Sequence, residues 1–304
     1  MKKVCAIVMA LCLLLAGLCP ALAEDKTYRI GICQLAPHPA LDAATQGFRD
    51  FLTEKLGDRV VFDEQNAAGE AATCMQIMNS FISENVDLIM ANATASLQAA
   101  QSATGDIPIL GTAVTDYGVA LDLTCVDGKT GVNISGTSDL APLDQQAAMI
   151  KELFPEAKKV GLLYCSSEAN SAYQIEVMTQ ELTKLGFRCT EFAFSDSSDV
   201  IYVPTDNVVA TCAEAIRNVA EVDRVPIIAG EEGACAGCGV ATLSISYYEL
   251  GRITGEMAFE VLCEGADISQ MAIRYAPTTA KKYNAELCAA LGLTMPADYE
   301  AIAQ

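Results

Sequence analysis

Short clusters of hydroxyls, amides and acids are the residues of this sequence that could do chemistry. None of these clusters contains Arg or Lys, so a bound carboxylate would need free N–H groups at helix N-termini together with hydroxyls. Side chains at the start of two predicted helices could help to bind it: Thr94, Ser96, Ser167, Asn170 and Ser171. These residue types are equally typical of helix N-caps, and one residue can do both.

Acidic side chains in the same clusters could pair with an ammonium group. The candidates are Asp116, Asp206, Glu231 and Glu232. The alternative is that each is a solvated surface acid, because the chain contains 39 Asp and Glu residues.

Motifs for catalysis or metal binding are absent from the sequence. It has one His and no Gly-x-Ser-x-Gly, Walker or His-Glu-x-x-His motif, so the catalytic motifs that hydrolases use are not found. No Asp-x-Asp-x-Asp-Gly spacing indicates a calcium site. Cys235 and Cys238 form a Cys-x-x-Cys pair, but no second pair is available for zinc, and a thioredoxin-like site would lie earlier in the chain. A disulfide and incidental cysteines both fit this pair. We predict no catalytic residue, no metal and no cofactor.

The charge balance excludes two classes of partner. The 304 residues include 39 acidic and 19 basic side chains, for a net charge of −20. Nucleic acid is disfavoured because its phosphates must be neutralised by Lys and Arg, and anionic membrane surfaces are disfavoured for the same reason. With 52% hydrophobic residues, the chain can bury a large core, and its length suits two lobes.

The first 23 residues have the pattern of a signal peptide. Two lysines precede the apolar run 4–18, and Ala21-Leu22-Ala23 matches a signal-peptidase site. No later segment offers about 20 apolar residues, so no transmembrane helix is expected in the mature chain. We predict an exported protein, periplasmic or extracellular. A lipid anchor at Cys19 is the alternative. Lipid-attachment sites have a small residue directly before the cysteine, whereas this chain has Leu18 there.

Apolar runs alternate with amphipathic stretches along the rest of the chain, which indicates βαβ units and parallel sheets. Strands are predicted over 28–33, 60–63, 88–91, 107–110, 159–164, 187–194, 201–203, 225–229, 241–246 and 271–275. Helices are predicted over 40–56, 71–84, 95–104, 143–153, 172–185, 208–221 and 248–262, and near 280–291. The pattern restarts after a Gly-rich crossing at 130–142. We therefore predict an α/β fold with two Rossmann-like lobes, 28–137 with 248–265, and 138–247 with about 270–304.

The polar clusters follow the predicted strands. Because ligands of open parallel sheets bind outside the carboxyl ends of the strands, these clusters should converge on one cleft between the lobes. They cover residues 34–42, 92–96, 112–116, 166–171, 204–207, 230–233 and 246–247.

Six motifs in order along the chain resemble those of ABC transporter substrate-binding proteins of the tryptophan/tyrosine-binding type. They are His38-Pro39-Ala40-Leu41-Asp42, Thr112-Ala113-Val114-Thr115-Asp116, Gly136-Thr137-Ser138-Asp139, Ser166-Ser167-Glu168-Ala169-Asn170-Ser171, Tyr202-Val203-Pro204-Thr205-Asp206-Asn207 and Tyr247-Tyr248-Glu249-Leu250-Gly251. The resemblance implies a type I periplasmic binding fold, whose two lobes close on a ligand about a hinge. It also implies an amino acid, by preference aromatic, as the ligand.

Loop position and motif together give the predicted ligand-binding residues. Asp206 and Glu232 are expected to bind the ammonium, and His38, Tyr173 and Tyr247 could line an aromatic pocket, although Tyr173 could equally be ordinary helix packing. The full predicted set is Gln34, His38, Asp42, Thr94, Ser96, Thr115, Asp116, Ser167, Asn170, Ser171, Tyr173, Asp206, Asn207, Glu232 and Tyr247.

One departure from the family pattern concerns the second lobe. Relatives have a crossover helix before the Tyr-Val-Pro-Thr-Asp-Asn strand, whereas only residues 195–200 intervene here. Returning along a sheet to a parallel strand normally takes a dozen or more residues. We therefore predict that one crossover helix is missing and that the sheet beneath Leu162, Tyr164 and Ile201 is partly exposed.

These observations predict an exported solute-binding protein that captures a small ligand, an amino acid by the resemblance, for ABC permease subunits. A branched-chain amino acid, a nucleoside or a sugar in the same fold is the nearest alternative. A sensory ligand-binding module is the second alternative, and an enzyme on this fold is the third.

Overall fold

Two sheets of mostly parallel strands organise the chain. The computed structural model describes residues 26–191 and 198–303. Strands β1 to β13, in chain order, are Tyr28–Gln34, Val60–Asn66, Leu88–Asn92, Ile109–Val114, Ile134–Ser138, Lys159–Leu162, Arg188–Glu191, Val200–Val203, Ile227–Ala229, Ala241–Ile245, Arg274–Tyr275, Thr279–Tyr283 and Glu300–Ala301.

Helices connect most successive strands. Helices α1 to α11, in chain order, are Pro39–Leu56, Ala71–Ser83, Thr94–Ala103, Tyr117–Leu121, Leu143–Leu153, Ala169–Lys184, Asn207–Thr211, Ala213–Asp223, Glu232–Cys238, Tyr247–Cys263 and Ala285–Leu291. Short 3-10 turns lie at Gly57–Arg59 and Ile268–Gln270. In the part of the chain covered by the structure, no helix is both long and apolar enough to cross a bilayer.

The strand order is that of two open, doubly wound sheets. The first sheet runs β11-β5-β4-β3-β1-β2, with every pair parallel. The second runs β13-β12-β10-β9-β8-β6-β7, and only β10 and β12 are antiparallel. We call the elements around these sheets the first and second lobes. The predicted α/β fold with two Rossmann-like lobes is confirmed.

Helix α1 shows how the sequence builds the first lobe. Its apolar residues recur at helical spacing, so that Leu41, Phe48 and Leu52 are all buried. The His38 side chain caps its start, and Gly57, at φ 56°, ends it. Helix α10 returns from the second lobe and crosses α1 closely. A Cβ on Gly251 would collide with the backbone carbonyl of Ala44, so this crossing requires glycine.

The chain crosses between the lobes three times. The crossings lie between β5 and α5, between β10 and α10, and between β11 and β12. The last of these corrects one predicted boundary, because Arg274 and Tyr275 pair with Thr137 and Ser138 of the first sheet rather than joining the second lobe.

The short connection between β7 and β8 has a different consequence from the one predicted. Residues 192–197 lie outside the described residues, and 188–191 and 198–203 contain no helix. Leu162 and Ile201 are nevertheless each 1% exposed, so the predicted exposure of these two residues is wrong. Leu162 pairs with Tyr202, and Gly161 pairs with Ile201, so Leu162 and Ile201 face opposite sides of the sheet. Tyr164 is half-buried.

The sequences of β6 and β7, at one edge of the second sheet, explain why little apolar surface is exposed there. The face of β6 and β7 on the Ile201 side carries Gly161 and Thr190, which pair with each other, and Thr190 is exposed. Ile201 itself packs against Val209 and Ala213. A crossover helix would therefore have few large apolar side chains to cover on these strands.

Three local predictions were wrong. The segment 280–291, expected to be helical, forms strand β12 before α11 begins at Ala285. Strand β5 lies in what was taken for a Gly-rich crossing. The helix predicted over 208–221 is divided at Cys212 into α7 and α8.

Candidate functional site

A small cavity lies between the lobes at the carboxyl ends of the strands. Its volume is about 10 Å³, room for about one water molecule. We call it the inner cavity. Its lining residues are His38, Ala40, Leu41, Ala113, Thr115, Asp139, Asn170, Thr205, Asp206, Asn207 and Tyr247. Neither Arg nor Lys is among these described lining residues.

Asp139 is the acid that the structure places in this cavity and that sequence reasoning missed. Its side chain is 3% exposed. One carboxylate oxygen accepts a hydrogen bond from the Tyr247 hydroxyl at 2.9 Å, and the other accepts one from the Thr115 hydroxyl at 3.1 Å. Burial raises the pKa of Asp139 from its usual 3.8 to about 6, although these hydrogen bonds lower it. The signal that could have found Asp139 is its place in the fourth position of the Gly136-Thr137-Ser138-Asp139 motif.

Glu231 is a second buried acid at the cleft. It directly precedes Glu232, the predicted ammonium partner, in the sequence. It is 1% exposed, and its carboxylate accepts hydrogen bonds from the backbone N–H groups of Gly233 and Ala234, so it caps α9. Its Oε1 lies 3.7 Å from Nε2 of His38. Burial raises the pKa of Glu231, while His38 and the cap hydrogen bonds lower it.

Glu232, which was predicted to bind the ammonium, lies elsewhere. It pairs with Lys282 of β12 at 2.6 Å. These two residues and Glu231 line a separate pocket of about 550 Å³, which we call the side pocket. Ala40 and Tyr247 line both the side pocket and the inner cavity.

Asp206 lines the inner cavity, but its carboxylate holds backbone groups together. It caps α7 by accepting the Val209 N–H at 2.7 Å, and it accepts the Cys165 N–H at 2.6 Å. Asn207 donates to Glu168 at 2.9 Å, and Asn170 donates to the carbonyl of Thr205 at 3.0 Å. These three predicted residues thus shape the loops of the second lobe around the cavity.

The structure brings six of the predicted residues together in the lining of the inner cavity. They are His38, Thr115, Asn170, Asp206, Asn207 and Tyr247. Nine others lie outside it: Gln34, Asp42, Thr94, Ser96, Asp116, Ser167, Ser171, Tyr173 and Glu232.

Several of the outlying residues have a clear structural role. The Gln34 amide donates to Asp42 at 2.6 Å beneath α1. Ser96 lies inside the first lobe, 3.6 Å from the Cys33 sulfur and 3.5 Å from that of Cys74. Asp116 caps α4 through the Val119 N–H at 2.8 Å.

The Cys-x-x-Cys pair is a buried part of helix α9. Cys235 and Cys238 both carry free thiols, and burial raises their pKa values, that of Cys238 to about 12. Such thiols stay protonated and unreactive at neutral pH. The described residues contain no group of three or more His, Cys, Asp or Glu side chains that could hold a metal ion.

The sequence profile of one family, described as ABC transporter substrate binding protein, matches residues 29–300. The chain belongs to this family. Members are substrate-binding proteins, a kind that binds rather than catalyses. A protein named tyrosine-binding protein, from Clostridioides difficile, is 39% identical over 266 residues, which cover 82% of this chain and 76% of that protein.

Solved structures of family members share the arrangement of the two lobes. An ABC domain in complex with L-Trp from Streptococcus pneumoniae gives a TM-score of 0.86 at 29% identity, covering 91% of this chain and 100% of that one. A ligand-free, open substrate-binding protein with adhesive properties from Clostridium difficile gives 0.73 at 36% identity, covering 91% and 99%. The lower score at the higher identity indicates that the lobes here lie closer to the arrangement of the L-Trp complex. The chain is thus an ABC transporter substrate-binding protein with a type I periplasmic binding fold.

The cap formed by Asp206 leads to a test of its role. Asp206→Asn replaces one of its two acceptor oxygens by an amide that cannot accept an N–H. We expect a loss of about 1–3 kcal/mol in the free energy of unfolding, measured with urea. Asp116→Asn is the matched control, because that cap uses one oxygen and Asn can supply it. Equal stability of the two variants would contradict a structural role for Asp206.

Burial of the Asp139 carboxylate should lower the free energy of unfolding at neutral pH, whereas the cap formed by Asp206 raises it. Because its folded pKa is about 6 and its ordinary value is 3.8, the folded protein binds this proton more tightly, and the contribution to stability falls as pH rises from about 4 to 6. Asp139→Asn should therefore stabilise the ligand-free protein at pH 7.5, by about 3 kcal/mol, and change little at pH 4. Urea unfolding at both pH values measures this difference. A variant that is less stable at pH 7.5 would show that the hydrogen bonds of the carboxylate outweigh its burial.

Proposed function

We propose that this protein captures an L-amino acid with an aromatic side chain for uptake by an ABC transporter. The observation that carries the proposal is the buried carboxylate of Asp139 in an inner cavity whose described lining includes no Arg or Lys, with a second buried carboxylate, Glu231, beside His38 at the same cleft. A buried anion without a cation costs free energy. The ammonium of an amino acid would supply that cation. Asp139 and Glu231 therefore replace Asp206 and Glu232 as the proposed ammonium partners.

The ligand carboxylate would bind backbone N–H groups and neutral side chains. Thr115 and Asn170 line the inner cavity, and helix α6 begins beside it, whereas the first N–H groups of α7 are already bound by Glu168 and Asp206. Helix N-termini attract negative charge. This arrangement suits an anion that is held without a salt bridge.

The aromatic preference is supported by the relatives and by two side chains of the cleft. The curated relative is named for tyrosine, and one solved family member holds L-Trp. In this chain, the Tyr247 ring and the His38 imidazole line the inner cavity and could pack against a ligand ring. Because the cavity has room for about one water, the lobes or its side chains must move apart before such a ligand can enter.

Export and delivery to permease subunits complete the proposal. The signal-peptide pattern of residues 1–23 supports secretion. Family membership supports a permease as the partner that receives the ligand.

Ligand class can be tested by thermal unfolding of the purified protein. At a hundredfold excess over Kd, a ligand that binds only the folded state contributes about 2.7 kcal/mol, which raises the Tm by several degrees. We expect this shift with L-Trp, L-Tyr or L-Phe and a much smaller one in Asp139→Asn. A shift with a sugar or a nucleoside, and with no amino acid, would contradict the proposal.

Export can be tested by the N-terminus of the secreted protein. Cleavage after Ala23 leaves Glu24 as the first residue, and mass spectrometry of protein from the culture medium or periplasm should find it there. A lipid-modified Cys19 in the membrane fraction would instead support the anchored alternative, and intact protein in the cytoplasm would contradict export.

A further inference from the structure

His38 and Glu231 are helix caps from opposite lobes that face each other across the cleft. The His38 Nδ1 accepts the N–H of Ala40 at 3.0 Å and caps α1 in the first lobe. Glu231 caps α9 in the second lobe. The His38 Nε2 and the Glu231 Oε1 lie 3.7 Å apart, and the two residues are only 5% and 1% exposed. The facing ends of two helices are thus joined by one imidazole and one carboxylate.

The cap on α1 determines which imidazole nitrogen carries the proton. Because Nδ1 accepts a hydrogen bond from Ala40, the neutral imidazole must carry its proton on Nε2, the atom that faces Glu231. The ring also lies close to α9, since a Cβ on Gly233 would be 3.4 Å from the His38 Cε1. The imidazole therefore donates toward the carboxylate in the closed cleft.

This contact stands between the two cavities of the cleft. His38 lines the inner cavity, Glu231 lines the side pocket, and Ala40 and Tyr247 line both. The inner cavity has about 10 Å³ and the side pocket about 550 Å³. The inner cavity is too small for an amino acid in this arrangement.

We propose that the contact between His38 and Glu231 is a gate within the cleft. The ammonium group of the bound amino acid displaces the imidazole from Glu231, and the inner cavity and the side pocket then join into one binding space. This inference rests on the proposed function, because it requires an ammonium ligand. It makes His38 a positioning residue whose departure admits the ligand.

The other titratable groups around Glu231 belong to both lobes and to the crossings. They are Glu232 with its partner Lys282, Cys235 of α9, and Asp139 and Tyr247 across the cleft. On the α1 side, Asp42 is exposed and accepts a hydrogen bond from Gln34. His38→Asn removes the imidazole and leaves each of these side chains in place.

The single His makes the gate directly measurable by NMR. In tag-free protein, His38 is the only imidazole, so its ring signals can be followed during ligand addition without assignment. With saturating L-Tyr or L-Trp at constant pH, we expect these ring signals to move, since the imidazole leaves its carboxylate partner. Ring signals that stay in place on ligand binding would overturn the gate.

A variant provides an independent readout. His38→Asn keeps a good helix cap but removes the imidazole. Because no ring then has to leave Glu231, we expect the association rate constant of the same amino acid to rise several-fold. Stopped-flow mixing measures this rate constant for both proteins. An equal or lower association rate constant in the variant would overturn the gate, whereas absence of binding by any amino acid to wild-type protein would overturn the proposed function itself.

Discussion

A carboxylate buried between the lobes is the constraint on which the rest of the site depends. Asp139 lies where the chain leaves the first sheet for the second lobe, and its partner Tyr247 lies where the chain returns. One hydrogen bond therefore joins two of the three crossings at the place where the proposed ammonium binds. Because the carboxylate is desolvated, the two hydroxyls that contact it offset only part of the cost of its charge. The Asp139 carboxylate thus both joins the two crossings and would bind the charged group of the ligand.

The fold could be predicted from the sequence wherever a segment followed one simple period. Helices α1 and α5 and strand β3 have regular apolar spacing, and their predicted positions agree closely with the structure. Strand β5 could not be predicted this way, because its sequence, Ile-Ser-Gly-Thr-Ser, is mostly polar although every residue is buried. Its hydroxyls are satisfied by distant groups, for example Thr137 by Thr254 at 2.9 Å. Such partners come from tertiary structure and leave no local pattern.

The location of the site was predictable, but the choice between neighbouring acids was not. Post-strand clusters do meet between the lobes, as parallel sheets require. Glu231 turns into the cleft as a cap, however, while Glu232, one residue later, turns toward Lys282. Lys282 lies on β12, a strand that pairs antiparallel with β10 and that the sequence pattern had indicated to be helical. Without that strand, the partner that occupies Glu232 could not be foreseen.

The acids of the cleft also explain how closure could select its ligand. A neutral solute can fill space between the lobes, but it leaves Asp139 and Glu231 without a full positive charge. With such a solute, closing the lobes would bury both carboxylates without a compensating cation, so the open arrangement is favoured. A solute with an ammonium group removes that cost only in the closed arrangement, where both carboxylates are buried. A ligand shifts a conformational equilibrium only by its difference in affinity for the two states, and here that difference comes from one charge. Selection against sugars would thus require no clash in the pocket, since the uncompensated carboxylates are enough.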